Sequence, residues 1–223
     1  MRKKFWVLVV VMLLVFIGSS TCSVLAVDFV ELVKDAGPGE VQEAIDAGAD
    51  VNARAEDGRT ALMSAAVNNK NPEVIRILLD AGADINARDK DGLTALTWAA
   101  RGNKTPEVIK TLLDAGADVN ARNESGATAL MAAAAYNENP EVIEVLLDAG
   151  ADINARGEKF GMTALMVAAV NNKNPEVIET LLEAGADGSL KSDEGKTAFD
   201  YAKDNEHLKG TDAYWELNDA HFE

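Results

Sequence analysis

The sequence predicts an all-α solenoid of paired short helices with β-hairpin fingers, four full repeats set between an N-terminal and a C-terminal capping unit. Three observations predict it. The glycine of "AGAD" recurs as Gly48, Gly82, Gly116, Gly150 and Gly185, at spacings of 34, 34, 34 and 35 residues. An independent marker, Thr60, Thr94, Thr128, Thr163 and Thr197, keeps spacings of 34, 34, 35 and 34. Between these markers the apolar residues form two blocks per unit, each too short to hold as a helix alone in water. Each copy must therefore bury its apolar side against the next, which turns the array into one continuous core.

Residues 1–26 read as a signal peptide. Arg2, Lys3 and Lys4 form a basic start, Phe5 to Ile17 is an unbroken apolar run, and Val24-Leu25-Ala26 ends on a small residue. The run of 13 residues falls short of the roughly 20 that cross a bilayer, so cleavage is expected over an uncleaved anchor. Export follows, to the periplasm as the first expectation and the extracellular space as the second. Cys22 is the only cysteine and lies in this leader. Lipid modification of Cys22 is the alternative, although Ser19 stands where a leucine is usual. The rest of the chain is free of thiols, as suits an oxidising compartment.

Residues 27–54 are expected to form the N-terminal capping unit, with "DFVELVKDA" as a leading helix and "GEVQEAIDAGAD" as a truncated repeat. The full repeats span 55–88, 89–122, 123–156 and 157–191. In each, the threonine caps a first helix by accepting from exposed backbone N–H groups. Paired alanines (Ala65-Ala66, Ala99-Ala100, Ala133-Ala134, Ala168-Ala169) favour helix and let neighbouring helices approach closely. The second helix opens on "NPEVI": Asn71 caps, Pro72 takes the first helical position, and Glu73 favours the positive helix end. Thr105-Pro106, Asn139-Pro140 and Asn174-Pro175 repeat the device. Val74, Ile75, Leu78 and Leu79 supply its buried side, at about 1.5–3 kcal/mol for each side chain fully buried. Gly82 is expected to be the left-handed residue past the helix end. "ADINARDKDG" alternates and closes on a turn at Gly92, as a short hairpin does. Asn68, Asn69, Asn137, Asn171 and Asn172 in the inter-helix loops read as turn formers. Residues 192–223 form the C-terminal capping unit, with Leu208, Tyr214, Trp215 and Leu217 expected over the last apolar face.

The unit "DGLTALTWAA…TPEVIKTLLDAGADVNAR" resembles the ankyrin repeat, and the resemblance spans about residues 39–204. There are departures from the family pattern. Ala61, Ala95, Ala129 and Ala164 replace the motif proline, and Met63, Thr97, Met131 and Met166 replace the motif histidine. The inter-helix loop is longer by one residue, and "GEKFG" adds one residue to the fourth finger, so that tip should project differently.

Few positions change between copies, and they cluster at the finger tips and the exposed ends of the first helices. They are Glu56, Asp57, Arg59 and Val67; Lys90, Asp91, Leu93 and Arg101; Glu124, Ser125, Ala127 and Tyr136; Lys159, Phe160, Met162 and Val170. The resemblance implies that these positions line a concave groove that grips a protein partner. Trp98 lies beside them. Leu93, Trp98, Tyr136, Phe160 and Met162 would make an apolar strip with Arg101 and Lys159 at its rim, and aromatics and arginine are the residue types that anchor interfaces. The competing reading treats Trp98 as half-buried packing and Tyr136 and Phe160 as loop residues without a partner.

Composition narrows the rest. The formal net charge of −16 argues against nucleic acid and, once the leader is removed, against an anionic membrane surface, because both need a basic footprint. His207 and His221 are the only histidines, both in the closing segment, and no zinc, phosphate-loop or nucleophile-elbow motif is present. "DKDG" at Asp89 to Gly92 lacks the later ligands of a calcium loop. Two sequons, at Asn103 and Asn123, carry weight only in a eukaryotic secretory pathway. No cofactor and no metal are expected. The resulting expectation is an exported, monomeric, non-enzymatic scaffold for a protein partner. A secreted factor binding a host protein, a self-assembling solenoid, and a hydrolase or metal-dependent enzyme built from acidic residues are the alternatives.

Overall fold

The computed structural model describes residues 29–220. The leader, Cys22 and His221 lie outside the described residues. Residues 29–32 are helical, and eleven helices follow: α1 (Pro38–Asp46), α2 (Ala61–Asn68), α3 (Pro72–Asp80), α4 (Ala95–Gly102), α5 (Pro106–Asp114), α6 (Ala129–Tyr136), α7 (Pro140–Asp148), α8 (Ala164–Asn171), α9 (Glu176–Glu183), α10 (Ala198–Ala202) and α11 (Asp212–Ala220). They stack in two rows. The inner row runs α2, α4, α6, α8, α10, each helix against the next, and the outer row runs α1, α3, α5, α7, α9, α11.

Local sequence explains where each helix begins and ends. Thr60, Thr94, Thr128, Thr163 and Thr197 all accept from the backbone N–H three residues on. Asn71, Asn139 and Asn174 accept from the N–H of Glu73, Glu141 and Glu176. Thr105 departs from the expected device: its side chain makes no cap bond. At the far end of α3, the N–H of Gly82 bonds Leu79 O and that of Ala83 bonds Leu78 O. Gly82 itself sits at φ 90°, the left-handed geometry that closes a helix this way. Where the family histidine would stand, the Thr60 N–H approaches Met63 Sδ at 3.5 Å, and in the next repeat the Thr94 and Thr97 hydroxyls pair at 3.1 Å.

The core is one continuous column. Leu62, Ile75 and Leu78 are fully buried, as are their counterparts Ile109, Leu112, Ile143, Leu146, Ile178 and Leu181, with Leu96, Leu130 and Leu165 almost as fully enclosed. Phe29, Val30 and Val33 close the first end, and Leu208, Ala213 and Leu217 close the other. Trp215 does not join them. It is 58% exposed, because Ala213 and Leu217, four residues apart, form the stripe of α11 that faces α9.

Three polar ladders join the repeats, and none was expected from the sequence. The buried Asn103 donates through Nδ2 to Ala66 O at 2.9 Å and Asn69 O at 2.8 Å, while its Oδ1 accepts from the Thr105 N–H at 3.0 Å. Asn69, Asn137, Asn172 and Asn205 each donate to two carbonyls of the preceding unit. These asparagines, read from sequence as turn formers in three cases, are thus inter-repeat rungs. On the finger side, Arg54, Arg88 and Arg122 each bridge a carbonyl of their own finger and one of the next, and Arg156 reaches Lys191 O. At the back, Asn52 and Asn120 bridge successive glycine loops.

The fingers are tighter than hairpins. In the second repeat the Asp89 N–H bonds Leu93 O at 3.0 Å and the Gly92 N–H bonds Asp89 O at 3.2 Å. Among the described residues the only β-type pairing is an isolated bridge between Arg54 and Thr60. The chain is too short between turn and helix for a ladder, so each tip leans on its neighbour: the Lys90 N–H donates to Asp57 O and the Glu124 N–H to Asp91 O. The fourth finger closes one residue later, through Gly161 N–H to Gly157 O. That extra residue carries Phe160 to the tip, where it is 53% exposed.

Candidate functional site

A single helix position shapes the groove. Trp98 on α4 has Ala132 as its counterpart on α6 and Val167 on α8. The step from a large ring to a methyl leaves a notch beside Trp98, and Ala135 keeps it open. The resulting groove has a volume of about 820 Å³ and is bounded on the finger side by Leu93, Glu124, Phe160 and Met162. Fingers two to four and helices α4, α6 and α8 all contribute to it.

Of the positions expected to line a groove, Asp91, Leu93, Trp98, Arg101, Glu124, Tyr136, Lys159, Phe160 and Met162 come together here. Lys90 does not: it is exposed on the second finger and its stem passes over Gly58. Thr97, Met131, Ala132, Ala135 and Val167 also line the space. They escaped the sequence reading because small or buried residues create a groove by what they leave empty.

Trp98 is half-buried and fixed in place. Its Nε1–H donates to Asp89 Oδ2 at 2.8 Å, and Asp89 Oδ1 accepts from the Leu93 N–H at 2.8 Å. One carboxylate thereby ties the finger to the helix beneath it. Two guanidinium groups flank the ring, Arg59 at 5.2 Å and Arg101 at 5.7 Å from its centre, and Arg101 also lies 4.7 Å from the centre of Tyr136. Arg59 is paired with Asp57 at 2.6 Å. Burial pushes the Asp57 carboxyl up, but hydrogen bonds from Arg59 outweigh it and hold that group below its ordinary value. Tyr136 is 58% exposed, and Lys159 Nζ sits 5.4 Å from the centre of Phe160. The surface therefore offers ring faces and cation edges.

A second, polar depression lies at the inter-helix loops, between Lys104, Glu138, Lys173 and Glu176. The Lys104–Glu138 pair, at 2.8 Å, joins consecutive repeats across it. Among the described residues no group of three His, Cys, Asp or Glu side chains is placed to hold a metal ion, and no helix is long and apolar enough to cross a membrane. His207 is exposed.

The family model for ankyrin repeats (3 copies) matches in overlapping frames at residues 32–123, 66–157, 103–192 and 130–212. The chain belongs to the ankyrin-repeat family. Its all-α stack is an ankyrin solenoid, and ankyrin repeats in general mediate protein–protein interaction. Ankyrin repeats are typically scaffolds rather than enzymes. No curated protein matches the chain.

Proposed function

We propose that this ankyrin solenoid is an exported, non-enzymatic scaffold that holds a partner protein in the groove between its second to fourth fingers and helices α4, α6 and α8. The observation that carries the proposal is the groove itself. Trp98 is fixed by Asp89, and Tyr136 and Phe160 stand exposed along the same groove. A large ring held in place in advance, as Trp98 is, loses little conformational entropy on binding, and exposed aromatics beside it add anchoring area. The basic and apolar leader supports export, to the periplasm in the first instance and beyond the cell in the second. In the second setting the partner is a host protein.

The test is affinity capture from the source's own exported fraction, with the leaderless protein as bait and mass spectrometry as the readout. The Trp98→Ala, Tyr136→Ala double variant serves as control. The proposal expects at least one protein to be retained by the wild type and depleted several-fold on the variant. Equal retention of every captured protein on both baits contradicts it.

Self-assembly has one observation in its favour, the exposed Trp215 on the terminal helix α11. Sedimentation over a concentration range separates it from the scaffold reading. Constant monomer mass removes it, and a mass that grows with concentration and reverts on Trp215→Ser supports it.

A further inference from the structure

We infer that the groove accepts an apolar protein segment carrying a single carboxylate, seated on Arg101 between Trp98 and Tyr136; this rests on the scaffold reading above and specifies its partner. The four helices α2, α4, α6 and α8 read ALMSAAVN, ALTWAARG, ALMAAAAY and ALMVAAVN, and Arg101 is their only charged residue. In a protein with 26% charged residues, these four inner helices carry charge at one point.

Arg101 is not there to finish its helix. A cation in the last turn is favourable to the helix dipole, yet α2, α6 and α8 end on the same asparagine-led turn without one. Nor does it serve an internal ion pair. Among the described residues no carboxylate lies within 4.0 Å of its guanidinium. The neighbouring Arg59 shows the contrast, being already bound to Asp57 at 2.6 Å. Instead, the two rings hold Arg101, with Tyr136 at 4.7 Å and Trp98 at 5.7 Å from its carbon centre. The rings orient the group and leave its N–H edges unclaimed.

An apolar segment laid over Trp98 and Tyr136 takes water away from Arg101. A charge buried without a counterion is costly, and one truncated or absent partner at such a site weakens binding steeply. A carboxylate on the incoming segment removes that cost through charge-assisted, bidentate hydrogen bonds to the planar guanidinium. The acid must be single. Asp91, Glu124 and Glu158 outnumber Lys159 on the finger side of the groove, and the protein's own net charge of −16 repels a polyanionic strand. The partner's carboxylate is an Asp or Glu side chain within the segment, because Trp98 and Tyr136 flank Arg101 and a segment that covers both rings runs past it.

The experiment uses the full leaderless protein and two displayed libraries of random dodecapeptides. One library presents a free C-terminus and the other is tethered at both ends. Both are panned against the wild type and depleted against the Trp98→Ala, Tyr136→Ala variant. Enrichment of one Asp or Glu in both libraries is the expected result, whereas groove-dependent binders found only with the free end, which would use the terminal carboxylate instead, overturn the inference. For a selected peptide, Arg101→Gln should weaken binding by about tenfold or more. Converting the peptide acid to its amide should weaken it equally, and the two changes together should add no more than about twofold. Arg101→Glu should select Lys or Arg at the same peptide position. Because Arg101 is exposed, thermal melts of both variants should overlay the wild type. Groove-dependent peptides without acidic enrichment, or with affinity indifferent to Arg101→Gln, overturn the inference and leave the scaffold standing. Failure of both libraries to yield any groove-dependent peptide overturns the scaffold reading as well.

Discussion

Two regions of the same repeat have opposite logic. At the seam between repeats, Asn103 is buried and uses both donors and its acceptor on backbone groups, and Asn69, Asn137, Asn172 and Asn205 occupy the same place in their own units. In the groove, Trp98, Ala132 and Val167 occupy one equivalent position with three different sizes, and Arg101, Ala135 and Val170 occupy another, where only one of the three is charged. The seam is constant because its partners are carbonyls, which every repeat presents in the same geometry. On the proposed reading, the groove varies because its partner is another molecule. Comparison among copies within one protein therefore separates what holds the array from what the array holds.

The largest effects are expected at the constant positions. Leu112 is fully buried in the core column, and Leu112→Ala should cost about 2–5 kcal/mol in denaturant unfolding through the cavity it leaves. Asn103→Ala orphans two buried carbonyls and the Thr105 N–H. Its cost should be on the order of 3 kcal/mol, since buried unsatisfied groups cost about 1–3 kcal/mol each. A loss below half a kcal/mol, which is about the size of a surface substitution, would break the claim that the asparagine ladder joins the units.

Trp98 lies on the border of the two regions and sharpens the comparison. Trp98→Phe keeps a ring but removes the bond to Asp89 at 2.8 Å. Chemical denaturation should show a loss of about 0.5–1.5 kcal/mol, with binding also weakened because the ring is no longer fixed to the finger.

The smallest effect is expected at the C-terminal cap. A hydrogen bond from Lys203, with further ones from Thr197, holds the Asp200 carboxyl down at about 2. A depressed folded-state value means that the stabilisation is complete above the ordinary aspartate range and is lost as pH falls toward about 2. The ion pair is solvent-screened, so Asp200→Asn should change stability by less than about 1 kcal/mol at neutral pH. The variant's melt should also respond less than the wild type's between about pH 4 and pH 2.

The periodic glycine and threonine, the Pro72-type helix starts and the apolar column were legible in the sequence because each follows from local geometry repeated at a fixed interval. The polar ladders were not. Asn69 and Asn103 look like turn residues until stacking puts the carbonyls of the preceding unit beside them. Their signal was present, since Asn69, Asn103, Asn137, Asn172 and Asn205 keep nearly the period of the glycines, but a buried role follows only from the packing. The arginine of "NAR" hid in the same way: Arg54, Arg88, Arg122 and Arg156 look like solvated charge until neighbouring fingers supply acceptors. The aromatic strip was visible as residue types. Its depth was not, because a notch depends on Ala132 facing Trp98. Hydrophobicity alone puts Trp215 on the cap's inner side, while the stripe of Ala213 and Leu217 turns it outward.

The most direct measurement sets Asn103→Ala beside the pair Tyr136→Ala, Phe160→Ala, recording melting temperature and retention of captured partner on the same preparations. The account predicts a double dissociation. Asn103→Ala melts well below the wild type yet retains partner at temperatures where it is folded, whereas the groove pair melts with the wild type and loses the partner several-fold. If stability and binding fall together in both variants, or if the groove pair binds as the wild type does, the separation of seam from groove is wrong.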